Sequence, residues 1–140
     1  SLTTRLVEGK NPTRVVVDAN LEIPSTFNIY NNEAKTIVFN AQKQETKGTV
    51  EFIKIDFSRN SLAQISEKLV ALGIQSVLVE GGSVLLQSFI KENNWDELYI
   101  FQNPNLYFNA GLKAPEFKID NTFERVGDDK LFHYKKKKSK

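Results

Sequence analysis

The sequence has no cysteine and only one histidine, His133. Without thiols the chain cannot form disulfides or thiolate metal sites, and one imidazole is too few for a histidine cluster that holds a catalytic metal. No apolar run is long enough to cross a bilayer, and no basic stretch followed by a signal-like segment opens the chain. These absences exclude thiol chemistry and predict a cytoplasmic protein that has no metal site and does not contact a membrane.

The excess of one sign of charge is also small: 19 Lys and Arg residues against 17 Asp and Glu residues give a formal net charge of +2. Five positive charges lie in the last six residues, 135–140. A terminal lysine run without interleaved aromatic residues is typical of a solvated, frayed end, because a nucleic-acid or lipid-binding face spreads its charge over a folded surface. We predict a basic disordered tail over residues 135–140 and no nucleic-acid partner.

The length of 140 residues fits one domain, and 40% hydrophobic with 26% charged residues is the balance of a globular protein. Runs of β-branched residues predict buried strands at residues 14–18, 36–39 and 76–79, and residues 97–101 follow as a later strand. The alternation of apolar and charged residues over 50–57 indicates a strand nearer an edge.

Two helices are predicted between these strands. Asn60 or Ser61 can cap the first, and Gly73 lies just past its end. Its apolar positions fall at helical spacing: Leu62, Ile65, Leu69 and Leu72. Residues 84–90 predict a second helix that is apolar on most faces. Two alternating runs then flank residues 127–129 and predict an antiparallel hairpin. The order of elements predicts an α/β fold with a mixed, mostly parallel sheet and a C-terminal antiparallel hairpin.

The strongest functional candidate is the turn Val79-Glu80-Gly81-Gly82-Ser83, between a predicted strand and the second helix. Adjacent glycines permit a tight turn and leave no β-carbon in the way of a ligand, while the free amides of Ser83, Val84 and Leu85 open the helix. Amides and helix dipole together predict a phosphate site. A glycine pair alone is a weak signal, but a carboxylate at the end of a buried strand, Glu80, strengthens it.

Other candidates have plainer interpretations. Asp18 ends a buried strand and most simply caps the following loop. Arg5 fits either an exposed surface position or a bidentate phosphate contact. His133 is interpreted as structural. The aromatic residues Tyr99, Phe101, Tyr107 and Phe108 are interpreted as core.

These motifs together resemble a known family. The segments Thr13-Arg14-Val15-Val16-Val17-Asp18, Leu21-Glu22-Ile23-Pro24 and Val79-Glu80-Gly81-Gly82-Ser83, followed by Pro104, are similar to the C-terminal reductase domain of the bifunctional riboflavin biosynthesis proteins of the RibD type. The resemblance runs from Leu2 to the hairpin. It implies the three-layer α/β/α fold of the dihydrofolate-reductase-like proteins.

The resemblance also implies an activity, the NADPH-dependent reduction of the ribosyl group of 5-amino-6-(5-phosphoribosylamino)uracil to the ribityl form. In the family the helix-opening turn holds the cofactor, which here means Gly82, Ser83, Val84, Leu85, Leu86, Gln87 and Ser88. Ala19, just after the strand-ending acid, faces the cofactor as well. Glu80 inherits a substrate contact, and Leu2 and Arg5 correspond to residues that line the substrate phosphate region. No residue is assigned to hydride transfer.

The same resemblance implies that residues 1–134 form the reductase domain without its N-terminal part. It further implies a zinc deaminase domain in the full-length protein and a homodimer. Asn40 and Ala41 stand where relatives often have hydroxyl residues against the adenosine 2′-phosphate, so the choice of NADPH over NADH comes from the resemblance. Two other functions stay open: a non-catalytic nucleotide-binding or interaction module of the same fold, and a stand-alone reductase for a pteridine or dihydrofolate.

Overall fold

A computed structural model of the chain describes residues 3–4 and 8–136. The chain divides into two compact units, Ser1–Gln75 and Ser76–Lys140. Leu2 and Arg5 lie outside the described residues, as do residues 137–140 of the predicted tail. Lys135 belongs to the last strand, and the Lys136 amide donates to the Asp96 carbonyl at 2.9 Å.

The first unit contains a four-stranded sheet. Its strands are β1 (Arg14–Val17), β2 (Thr36–Asn40), β3 (Glu45–Lys47) and β4 (Val50–Lys54). They lie in the order β1-β2-β4-β3, with β1, β2 and β4 parallel and β3 antiparallel to β4. The first two predicted strands are therefore confirmed. The strand predicted nearer an edge, β4, is second from one edge of this sheet, because the short strand β3, which the sequence analysis missed, pairs with its outer side. β1 is the strand at the other edge.

Helix α1 (Ser61–Ala71) covers one face of this sheet. Asn60 caps it as predicted, its Oδ1 accepting from the Ala63 amide at 2.9 Å, and Gly73 follows its end with φ of 77°. The core between helix and sheet consists of Ile37, Phe39, Ile53, Ile55, Ile65 and Leu69. The opposite face buries Val38, Val50 and Phe52 under Leu21 and Tyr30.

Arg14 begins β1 and is only 2% exposed. Its Nε donates to Thr36 Oγ1 at 2.9 Å, and its Nη1 donates to the Asn28 carbonyl at 3.0 Å and to Asn31 Oδ1 at 2.7 Å. Its Nη2 donates to the carbonyls of Asn31 and Ala34, each at 2.7 Å. All five guanidinium N–H groups thus have acceptors. The side chain ties the segment before β2 to the start of β1.

The Arg14 network generates a stability prediction. In Arg14→Lys a single ammonium group cannot reach acceptors spread over a fork, so buried carbonyls lose their donors. We expect the free energy of unfolding, measured in urea, to fall by about 2–4 kcal/mol. The matched control is Arg59→Lys, since the Arg59 side chain is 82% exposed and forms an ion pair with Asp56. That change should stay below about 0.5 kcal/mol; equal losses would show that the network contributes no special stability.

The second unit contains helix α2 (Ser83–Lys91) and the strands β5 (Glu97–Gln102), β6 (Glu124–Val126) and β7 (Asp129–Lys135). The strands form an antiparallel sheet in the order β5-β7-β6. Gly127, at φ of 61°, turns β6 into β7, which confirms the predicted hairpin. The later strand and the second helix are confirmed as well.

Two predictions fail in this unit. Residues 76–79 form no strand, and Leu78 is 79% exposed. A strand needs a neighbour for its amides and carbonyls, and among the described residues none pairs with this segment. The aromatic residues interpreted as core are exposed as well, Tyr107 and Phe108 by 81% and 84% and Tyr99 and Phe101 by more than half. Apolar composition indicates what a segment can bury, but not whether anything covers it.

Glu97 joins β5 to β7 through its carboxylate. Its Oε1 pairs with Lys135 Nζ at 2.9 Å, and its Oε2 accepts from Tyr99 Oη at 2.9 Å and lies 3.0 Å from His133 Nε2. The His133 ring stacks on Tyr99 with centroids 4.2 Å apart, in keeping with a structural role. Hydrogen bonds from Lys135, Tyr99 and His133 together lower the pKa of Glu97 to about 2.

This lowered pKa sets a pH dependence. The folded-state value lies below the ordinary 4.5, so the interaction stabilises the folded chain above about pH 4.5 and is lost as the pH falls toward 2. Glu97→Gln should flatten the fall of the urea midpoint between those pH values relative to the unaltered chain. Glu124→Gln, on the exposed strand β6 of the same sheet, is the control and should keep the full slope. Identical slopes for Glu97→Gln and the unaltered chain would contradict the assignment.

Candidate functional site

The turn Glu80-Gly81-Gly82 leads directly into α2. Gly82 is the N-cap residue, with φ of 75° and ψ of 113°, a conformation that side-chain-bearing residues rarely adopt. Its carbonyl accepts the first helical hydrogen bond, from the Leu86 amide at 3.0 Å. Glycine has no side chain to cap the helix. Within the part of the chain that the structure describes, the amides of residues 83–85 therefore have no hydrogen-bond partner.

These amides suit an anion for two physical reasons. Three consecutive N–H groups at a helix start are unsatisfied donors, and the helix dipole adds partial positive charge at the same end. The first turn of α2 holds no acidic residue that would occupy them. Apart from the chain neighbours, no atom of the described residues lies within 4 Å of the position that a β-carbon would take on Gly81 or Gly82. The turn thus offers donors of the type that phosphate groups bind.

Glu80 differs from its sequence-based description. The sequence analysis relied on a carboxylate at the end of a buried strand, but that strand is absent and Glu80 is exposed. Its side chain has no hydrogen-bond or ion-pair partner among the described residues. The argument from burial is therefore wrong, and the substrate contact stays a prediction.

The side chains of Gln87 and Ser88 are used within the protein. Gln87 Nε2 donates to the Glu116 carbonyl at 3.3 Å, and its Oε1 accepts from the Glu116 amide at 2.7 Å. Ser88 Oγ donates to the Val84 carbonyl at 3.0 Å. Of the predicted cofactor residues in α2, the backbone amides at the helix start and the Ser83 hydroxyl have no hydrogen-bond partner among the described residues.

In the first unit, Asp18 and Ala19 lie at the carboxyl end of β1. Asp18 Oδ1 accepts from the Glu22 amide at 2.9 Å and its Oδ2 from the Ile23 amide at 3.0 Å, which confirms loop capping. The Ala19 carbonyl accepts from the Ala41 amide at 2.9 Å. The loops that follow β1 and β2 are therefore joined at this edge, where ligands of open α/β sheets collect.

Asn40 ends β2 and is fully buried. Its Nδ2 donates to the carbonyls of Val38 and Ile53 at 3.2 and 3.3 Å, and its Oδ1 accepts from the amides of Gln42 and Lys43 at 2.9 and 2.7 Å. This carboxamide is bonded on every side and cannot meet a ligand.

Beside Asn40, beyond the ends of β2 and β4, lies a cleft of about 700 Å³. It is lined by Ala41, Lys54, Ile55, Asp56, Phe57, Ser58, Gln64, Glu67 and Lys68. The sequence analysis did not single out this cleft, although its position after two parallel strands is a signal that could have found it.

No cluster of side chains suited to a metal ion occurs among the residues that the structure describes. Within the same part of the chain, no helix has the length and apolarity needed to span a membrane.

Comparison with known proteins identifies the family. Residues 1–107 match the model of the RibD C-terminal domain. The chain belongs to this family. It is 35% identical over 141 residues to a 2,5-diamino-6-ribosylamino-4(3H)-pyrimidinone 5′-phosphate reductase of Archaeoglobus fulgidus, covering 89% of this chain and 64% of that protein. It is also 31% identical to the riboflavin biosynthesis protein RibD of Aquifex aeolicus, covering 96% of this chain and 42% of that protein.

A solved structure matches as well. The diaminohydroxyphosphoribosylaminopyrimidine deaminase/5-amino-6-(5-phosphoribosylamino)uracil reductase of Thermotoga maritima aligns with a TM-score of 0.75 and 30% identity, over 96% of this chain and 40% of that one. The RibD C-terminal domain resemblance and its dihydrofolate-reductase-like α/β fold are thereby confirmed. The chain spans from about two fifths to just under two thirds of these relatives' lengths.

Proposed function

We propose that this RibD C-terminal domain, residues 1–134, is an NADPH-dependent reductase of riboflavin biosynthesis. Its reaction would convert the ribosyl group of 5-amino-6-(5-phosphoribosylamino)uracil into the ribityl group. The observation that carries the proposal is the start of α2, where a glycine N-cap leaves three consecutive amides without partners among the described residues. Membership of the family and the reductase names of its relatives support it.

We assign the cofactor's phosphates to the amides that follow Gly82, those of Ser83, Val84 and Leu85. Leu86 continues the same turn, while Gln87 and Ser88 hold the helix and its neighbouring segment in place through their bonds to Glu116 and Val84. Ala19 has no functional group in its side chain, so its backbone provides the contact. These residues fit a phosphate-bearing cofactor because they supply N–H donors and no competing acid.

The substrate contacts are assigned to Glu80, with Leu2 and Arg5 at the substrate phosphate. A guanidinium group binds phosphate through paired N–H donors. An ionised carboxylate accepts hydrogen bonds from sugar hydroxyls and can orient the ribosyl group. The bound cofactor would supply the hydride that this two-electron reduction needs, while the amides after Gly82 would hold the cofactor and Glu80 would orient the ribosyl group.

A second substrate has specific support. The relative from Archaeoglobus fulgidus, at 35% identity, is named for a diaminopyrimidinone phosphate rather than an aminouracil phosphate. The same ribosyl reduction would then act on a pyrimidine that keeps an amino group where uracil has an oxo group. Assays with both compounds decide between them, since the preferred substrate is the one with the higher kcat/KM.

The same proposal extends to the other domain, the oligomeric state and the cellular location of the full-length protein. The name of the Thermotoga maritima relative joins a deaminase to the reductase. A zinc deaminase domain in the full-length protein, a homodimer and a cytoplasmic location are proposed here by analogy with the family.

The turn generates a binding prediction. Gly82→Val places a β-branched residue at a positive φ and forces the helix start to rearrange, so the Kd for NADPH should rise by at least about tenfold. The control is Gly73→Val, because Gly73 has nearly the same φ, 77° against 75°, and equally open surroundings at the end of α1. Isothermal titration should show an unchanged Kd for this control. An unchanged Kd for Gly82→Val would remove the turn from the cofactor site.

Glu80 generates a kinetic prediction. Glu80→Gln keeps the shape but replaces charged hydrogen bonds with neutral ones, so kcat/KM for the ribosylamino-pyrimidine should fall by about tenfold to a hundredfold. The Kd for NADPH should stay unchanged. Glu124→Gln, a substitution of an exposed strand residue, is expected to leave both values alone. If NADPH is bound but neither pyrimidine is reduced, the non-catalytic nucleotide-binding module becomes the better account.

A further inference from the structure

Asn11 links the described residues at the start of the chain to the segment before β2. Its Oδ1 accepts from the Thr4 amide at 2.9 Å, and its Nδ2 donates to the Glu33 carbonyl at 2.8 Å. The hydroxyl of Thr4 donates to the Lys10 carbonyl at 3.2 Å, which joins the same two stretches of chain a second time. One exposed carboxamide therefore holds backbone groups that lie far apart in the sequence.

The Glu33 carbonyl is a well-fixed anchor for this link. Glu33 lies between Asn31 and Ala34, whose carbonyls both accept from Arg14 Nη2 at 2.7 Å. The Glu33 amide also donates to Asn31 Oδ1 at 3.3 Å. Because the buried guanidinium holds this segment in place, the hydrogen bonds through the carboxamide fix the Thr4 backbone relative to the sheet.

We propose that Asn11 is a positioning residue for the substrate phosphate, because it orders the Thr4 backbone before a ligand arrives. The inference rests on the proposed function, which assigns Arg5, the next residue in the sequence, to that phosphate. Consecutive Cα atoms are only about 3.8 Å apart, so fixing one residue limits where the next can begin. Ordering backbone costs free energy, and a ligand binds more tightly to a segment that is already ordered. Both Oδ1 and Nδ2 of Asn11 bond within the chain, so it acts through Thr4.

The phosphate group itself provides the test. In isothermal titration of the whole chain without NADPH, Asn11→Ala should raise the Kd for 5-amino-6-(5-phosphoribosylamino)uracil by about fivefold to thirtyfold. The Kd for the same compound without its phosphate should not change, because that ligand gives Arg5 nothing to bind. Asn32→Ala is the matched control and should change neither Kd, since this exposed asparagine of the same segment accepts from Thr49 Oγ1 at 3.2 Å instead. Both asparagines are exposed, so circular dichroism should confirm folded variants.

A second substitution separates positioning from a general loss of structure. In a chain that carries Arg5→Ala, the further change Asn11→Ala should not weaken binding of the phosphorylated compound any more, because the group that it positions is gone. With NADPH present, the KM of the Asn11→Ala chain should rise while kcat stays unchanged.

Equal losses of affinity for the phosphorylated and unphosphorylated compounds would overturn the proposal, as would a full additional loss in the Arg5→Ala chain. Turnover decides the proposed function separately. If the phosphate-dependent loss occurs but no pyrimidine is reduced, the positioning role stands and the reductase fails. If the pyrimidine is reduced and Asn11→Ala leaves KM unchanged, the positioning role fails and the reductase stands. If Arg5→Ala alone leaves the Kd for the phosphorylated compound unchanged, the phosphate contact of Arg5 and the role of Asn11 both fail, whatever the turnover.

Discussion

The buried guanidinium of Arg14 is the interaction on which the first unit most depends. Removing such a group from water costs free energy. Among the described residues no carboxylate pairs with the Arg14 charge, and five neutral oxygen atoms accept its hydrogen bonds instead. Because each acceptor must face a particular N–H group of the planar guanidinium, the position of residues 28–36 relative to Arg14 is closely defined. That placement fixes where β2 begins beside β1, and with it where both strands end.

At the carboxyl ends of β1 and β2, buried polar side chains are likewise satisfied by hydrogen bonds within the protein. Asp18 and Asn40 turn their side chains back onto the loops that follow them, so each loop leaves the sheet in a defined direction. Polar groups bonded in this way shape the edge but have nothing left for a ligand. Among the described residues, the amides after Gly82 and the Glu80 carboxylate have no partner within the chain, and these groups can act on other molecules.

Sequence reasoning succeeded where the determinants are local. Helix α1 is specified by the Asn60 cap, its apolar spacing and Gly73, and the hairpin by Gly127 between alternating runs. It failed where the answer lies elsewhere in the chain. Residues 76–79 have strand composition but no pairing neighbour among the described residues, and the burial of Arg14 depends on acceptors 14 to 22 positions away. The Gly82 turn was found from sequence because its conformation requires glycine, whereas the exposure of Glu80 could not be read from it.

The two substrates suggested by the names of the relatives differ in the pyrimidine base and not in the ribosyl phosphate. Both pyrimidines carry the same ribosyl phosphate, so contacts to phosphate and sugar hydroxyls stabilise both equally and give no discrimination between them. The difference is an amino group in place of an oxo group, a donor in place of an acceptor on the pyrimidine edge. A site that hydrogen-bonds one of these leaves a polar group unpaired with the other, which costs far more than a change of shape. Substrate choice must therefore depend on residues that face the base, a different set from the amides and the carboxylate assigned above.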